Sequence, residues 1–208
     1  MRRYIKVILF LQSMQPTYHG LDELISLIDE PNRSGCQRLL NDNRTLFQQV
    51  PGAKSNHQIW PGGYYDHVRE TMNVAKVLYA TFNNLRPLPF ELSDALLVMF
   101  LHDLEKPWKY DLGPDGELRF KEELLEKEAQ HAFRERKLAE HGIQLTPTQT
   151  NGLKYVEGEH KDYSPDRRVM NELAAFCHLC DVTSARIWYD HPSSDKVDSW
   201  LGARRISD

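Results

Sequence analysis

The chain has 208 residues, with 26 Lys and Arg against 30 Asp and Glu and a formal charge of −4, which argues against a generally basic, nucleic-acid-coating surface. An apolar fraction of 40% with 27% charged residues excludes a largely disordered chain, and the length suits one sizeable core rather than two. Three cysteines, Cys36, Cys177 and Cys180, cannot all pair, which speaks against a disulfide scaffold and for a reducing, cytoplasmic setting.

The start, MRRYIKVILFLQSMQ, sets two arginines before an apolar run from Ile5 to Leu11. Lys6 interrupts the run, no small-residue cleavage site follows, and the run falls far short of the roughly 20 residues that span a bilayer. It reads as a strand or helix start packed on the domain. Leu21, Leu24, Ile25 and Ile28 then recur at helical spacing, predicting a helix over 21–30 that stops before Pro31. A second helix is predicted over 34–50, followed by an irregular loop, PGAKSNHQIWPGG. A long helix over 64–85 comes next. Pro87 and Pro89 separate it from 91–104, whose segment ALLVMFL is apolar on every side and predicts a central buried helix. KYDLGPDGELRF predicts a short β-hairpin, with Pro-Asp-Gly as the turn and Tyr110 and Phe120 in its arms. Helices over 121–141, 148–158 and 169–190 complete the pattern, before a tail ordered in part by Trp188 and Trp200.

The fold class is therefore all-α with one small hairpin. It divides into an N-terminal helical extension over 1–55, a core domain over 56–190 and a tail over 191–208. Strands and helices do not alternate and no glycine-rich phosphate loop is present, which argues against a doubly wound nucleotide fold.

His102-Asp103 closes the most apolar helix, where an imidazole and a carboxylate are costly unless their desolvation is compensated. A divalent metal does this, although an isolated pair is more often a helix cap. Asp181 lies on an inward stripe with Leu173, Cys177, Ser184 and Ala185, and no Lys or Arg shares it; a buried hydrogen-bonded Asp is the plain alternative. His67 opens the long helix just after Gly62-Gly63, and His131 and His160 fall near helix boundaries. Imidazole and carboxylate donors without thiolate suit Mn, Fe, Ni, Zn, Co or Mg as divalent ions. Cys177 and Cys180 form a single CxxC and read as buried thiols.

The order His67 … His102-Asp103 … Asp181, with Lys106 three residues after the aspartate, resembles the HD superfamily of metal-dependent phosphohydrolases. The nearest branch is the HD domain of bacterial 3′-to-5′ exoribonucleases. The resemblance spans about 56–188 and is carried by HQIWPGGYYDH, AQHAF with His131, GEHKDYSPDRR with His160, and LCDVTSA with Asp181. It implies an HD-like helical bundle with His67, His102, Asp103 and Asp181 around one ion. Asp103 would bridge to a second ion held by His131 and His160. Asp103 and Lys106 would be catalytic, the lysine steadying a phosphate oxygen while a metal-activated water attacks phosphorus. Two positions depart from the branch: Glu105 replaces a small residue and puts a charge near the site, and Lys161 stands where a second histidine is usual.

Trp60, Tyr64, Tyr65, Arg69, Trp108, Lys109, Lys161, Tyr163, Arg167 and Arg168 surround the proposed pocket in sequence. As a group they suit a base stacked on a ring with its phosphate held by a cation. Tyr64, Arg69, Lys106, Lys109, Lys161 and Arg168 are the substrate-binding candidates, and His57 is either a substrate contact or a satisfied loop histidine. The expected activity is hydrolysis of a phosphomonoester or phosphodiester in a small nucleotide or short oligonucleotide, with no membrane partner. The alternatives are a nucleotide- or metal-binding module without turnover, with Glu105 spoiling the nucleophile, and an exonuclease on short oligonucleotides.

Overall fold

Apolar spacing of three and four packs helices α1 (Leu21–Ser26) and α2 (Asn32–Phe47) onto the core through Leu21, Leu24, Ile25, Leu39, Leu40 and Phe47. The computed structural model describes residues 16–112, 118–194 and 198–207. The N-terminal apolar run and the Pro-Asp-Gly turn lie outside the described residues. Helix α1 is shorter than its periodicity predicts. The amides of Leu27 and Ile28 turn back to Leu24 and Ile25, tightening the chain ahead of Pro31, whose ring disfavours helix at the preceding residue.

Helix α3 (Gly63–Leu85) pairs with α4 (Leu92–Leu101), which is buried from Ala95 to Leu101. Asp94 Oδ2 accepts the Glu91 amide at 2.9 Å and caps the start of α4. The apolar run predicts helix to Leu104, but α4 ends at Leu101. Pro107 has no N–H to give the Asp103 carbonyl and crowds it. Leu104 and Lys106 instead bond three residues back, to Leu101 and Asp103, and a single turn, α5 (Lys106–Lys109), follows. The break leaves His102 and Asp103 on a tight corner at the end of the buried helix.

Strands β1 (Tyr110–Leu112) and β2 (Leu118–Phe120) form the hairpin that the sequence predicts, pairing antiparallel with Tyr110 opposite Phe120. Their rings lie 5.3 Å apart between centroids. The single helix predicted from Lys121 is split into a 3₁₀ turn (Glu122–Leu124) and α6 (Lys127–Glu140). The Gln130 side chain donates to the carbonyls of Leu124 and Leu125, satisfying the end of the turn and removing any need to continue it. Helix α7 (Pro147–Tyr155) starts with reciprocal bonds between Thr146 and Gln149 and a proline at its first position. A 3₁₀ turn (His160–Asp162) leads to α8 (Glu172–Val182), whose first amides are capped by Asn171 Oδ1.

Helix α8 does not run regularly to Asp190. It passes into one wide turn, Thr183–Ile187, closed by the Trp188 amide on the Thr183 carbonyl at 3.0 Å. Helices α3, α7 and α8 surround α4. The C-terminal segment folds back on the domain: Leu201 accepts the Tyr18 amide, Ala203 is buried, and Trp200 packs edge-on against Tyr18 and Trp188. Among the described residues no helix is long and apolar enough to cross a membrane.

Candidate metal centre

Three helix ends converge beneath the loop before α3. Ligand atoms of His67, His102 and Asp181 all lie within 4.8 Å of one another. His67 Nε2 is 3.1 Å from His102 Nε2 and 3.2 Å from Asp181 Oδ1, while His102 Nε2 is 3.6 Å from Asp181 Oδ1. Asp103 Oδ2 adds contacts of 3.5 Å to His67 and 3.3 Å to His102. A cation about 2.1 Å from each of several donors separates neighbouring donors by about 3.0–3.4 Å. These spacings are those of such a donor set, so the residues fit a divalent ion.

Each imidazole is aimed by a partner on its far side. A carbonyl only accepts, so His102 carries a proton on Nδ1 and donates it to Met99 at 2.7 Å, turning Nε2 to the cluster. Met99 is free to accept because the helix stops at this corner. His67 Nδ1 sits 3.1 Å from Ser184 Oγ, which the wide turn after α8 brings under the ring. Orienting partners of this kind fix which nitrogen faces a metal. His57 stacks on His67 at 4.5 Å between centroids and is held by Gln58 Oε1 at 2.6 Å. Its pKa is pushed down to about 3 by burial and by His67, so it is neutral at pH 7.

The glycine pair has a steric reason. A Cβ at Gly63 would stand 1.8 Å from the Gln58 carbonyl oxygen, which itself accepts the Gly52 amide. Gly62 adopts φ +81°, a conformation that glycine reaches without strain. Together they let the loop over 51–61 lie on the start of α3, where His67 is set.

Electrostatics press the donors together. Burial opposes charge on His102, but Asp103 and Asp181 outweigh it and push its pKa up to about 10. His67 moves down, because its burial outweighs the bond to Asp181. Burial raises both carboxyls, yet Lys106 and His102 hold Asp103, and the two histidines hold Asp181, well below the usual carboxylate range. Lys106 Nζ lies 2.5 Å from Asp103 Oδ2. Asp181 has a side chain 18% exposed while His67 is fully buried, so Asp181 is the most exposed of the candidate ligands.

The other sequence candidates scatter. His131 and His160 are exposed and lie outside the tight group, but both line a cavity of about 110 Å³ with His102, Glu105, Arg134 and Lys161. Tyr64 is buried edge-on against Phe47. Arg69 bonds Asp66 and the Arg204 carbonyl and stacks on Tyr18 and Tyr65. Lys109 lies over Phe120, and Arg168 is exposed beside Glu172. Trp60 donates to Asp66 under the Arg205 guanidinium, and Trp108 packs on Phe47 and Phe133. The three cysteines are buried and unpaired.

Sequence reasoning missed Ser184, Gln58 and Arg134. Ser184 carried a faint signal, being on the same stripe as Asp181; the other two carried none. Arg134 explains the departure at Glu105: its guanidinium bonds Glu105 Oε2 at 3.0 Å with both side chains nearly buried. No protein-family model matches the chain, and comparison with curated proteins and with solved structures finds no similar protein.

Proposed function

We propose that the chain is a metal-dependent phosphohydrolase of the HD type, holding a divalent ion with His67, His102, Asp103 and Asp181. One observation carries this reading: ligand atoms of His67, His102 and Asp181, from three helices, face one another at 3.1–3.6 Å, and Asp103 Oδ2 lies 3.3–3.5 Å from the two histidines. When bound, the ion supplies Lewis acidity toward a phosphoryl oxygen and lowers the pKa of water. The protein's part is orientation and charge. Met99 and Ser184 fix the imidazoles, and Lys106 would exchange part of its contact with Asp103 for a phosphate oxygen. We infer one ion, because His131 and His160 stand outside the cluster. Three buried free thiols fit a reducing, cytoplasmic setting.

The test is hydrolysis of phosphomonoesters and phosphodiesters with Mn²⁺, Mg²⁺, Ni²⁺, Co²⁺ and Zn²⁺, using protein purified without chelator. The reading requires turnover that depends on the ion and falls by about 10²-fold or more in Asp103→Asn. Equal turnover in that variant contradicts it. Metal binding without turnover of any ester would make the chain a metal-binding module instead.

A further inference from the structure

Four of the five rings expected to stack a base are used elsewhere in the fold: Trp60 under Arg205, Tyr64 on Phe47, Tyr65 under Arg69, Trp108 between Phe47 and Phe133; Tyr163 is exposed. One cleft has a different character. It encloses about 660 Å³ between α6 and α7, and its apolar wall is aliphatic, formed by Leu138, Ala139, Ile143, Leu145 and Leu153, with no phenylalanine, tyrosine or tryptophan. That volume lies within the range of small-molecule sites, which are mostly apolar with a few placed polar groups.

The cleft shares wall residues with a smaller cavity that one candidate ligand, His102, also lines. His131, Arg134, Leu153 and Lys154 line both it and the smaller cavity that reaches His102. Arg134 stands in this common wall with its side chain only 11% exposed. Its terminal nitrogen is held by Glu105, but its Nε is buried without a hydrogen-bond partner. A buried unpaired guanidinium nitrogen costs free energy unless something completes it. An anionic or ester oxygen at the joint between the cavities would do so.

Resting on the hydrolase reading above, we propose that the substrate is a phosphate ester of a single aliphatic chain rather than of a nucleoside. The phosphate would reach the metal cluster through the smaller cavity, at His102, Arg134 would take an oxygen at the joint, and the chain would lie along the aliphatic wall. Cleavage would break the P–O ester bond: water adds its oxygen to phosphorus, and the alkoxide leaves with a proton as the alcohol.

The test is calorimetric titration of the Mn²⁺-loaded protein with ethyl, butyl, hexyl and octyl phosphate and with adenosine monophosphate, alongside hydrolysis of the same esters. Affinity should rise about three- to fourfold per methylene, the gain for burying one CH₂, and octyl phosphate should bind more tightly than the nucleotide. Ala139→Trp, at an exposed position on the cleft wall, should flatten that gradient while the protein keeps its metal. A flat series in the native protein, or tighter binding of adenosine monophosphate than of octyl phosphate, overturns the proposal. A rising series with no ester hydrolysed upholds the ligand class and overturns the hydrolase reading, so the two fail separately. Binding of octyl phosphate to vesicle-like aggregates is distinguished by repeating the titration below its aggregation concentration; loss of the gradient there also overturns the proposal.

Discussion

Glu105 sits two residues from Asp103, where an unpaired carboxylate would compete for the same cation. Arg134 removes that conflict by neutralising it inside the protein. The pair is costly to desolvate, and breaking it leaves a bare buried charge. Arg134→Met should therefore lower stability by about 3 kcal/mol, whereas Arg134→Met combined with Glu105→Gln should recover most of that loss. Denaturant midpoints of the two single variants and the double variant measure this coupling. Simple addition of the single effects would show that the two side chains act independently. The pair was invisible in sequence because its members are 29 residues apart and lie on elements with no shared period.

At the scale of elements, the Gly62-Gly63 hinge is what lets a loop histidine, a buried glutamine and a metal-ligand candidate share one corner. Gly63→Ala would drive a methyl group into the Gln58 carbonyl, which is backbone and cannot swing aside. The expected cost is at least about 2 kcal/mol, with the loop over 51–61 displaced. Amide hydrogen exchange should show faster exchange at Gly52, whose N–H bonds Gln58. Unchanged protection at Gly52 in that variant would contradict the steric account. Helix existence was legible for every helix except the single turn α5, as was the hairpin with Tyr110 and Phe120 in its arms. Helix ends were less so. The α4 stop depends on Pro107 acting backwards on the Asp103 carbonyl, the α6 break on a glutamine side chain, and the wide turn after α8 on the packing of Ser184 beneath His67. His102, Asp103 and Asp181 could be picked out because polar groups on apolar segments are conspicuous, whereas His67 stood out only by its place after Gly62-Gly63 and in the family resemblance. The substrate-side residues could not, because an arginine or tyrosine near a motif in sequence has many other places to go in the fold.

For the whole molecule, the two ends of the described chain meet on α3. Tyr18 donates to Glu70 at 2.7 Å, and the Ile206 amide donates to Asp66. Glu70 is buried, with Asp66, Asp198 and Arg69 facing it. Burial pushes its pKa up to about 7 against the bond from Tyr18 and against Arg69, with Asp198 and Asp66 adding to the rise. The folded protein thus holds a proton that the unfolded chain releases near pH 4.5. The sign follows: stability falls as pH rises from about 4.5 to about 7, by about 3 kcal/mol for this group, and is level above that. Glu70→Gln keeps an acceptor for Tyr18 and should remove that slope, gaining stability at pH 8 relative to pH 5 when each is compared with the native chain. An identical pH profile in the two proteins would rule out Glu70 as the source.

The proposal that α3, the end of α4 and α8 converge on a single cation is tested most directly by elemental analysis after loading with Mn²⁺ and desalting. The native chain should retain about one ion, and Asp181→Asn, which changes a partly open carboxylate and not a core side chain, should lose most of it. A native chain that keeps no divalent ion, or a variant that keeps as much as the native, would contradict the account.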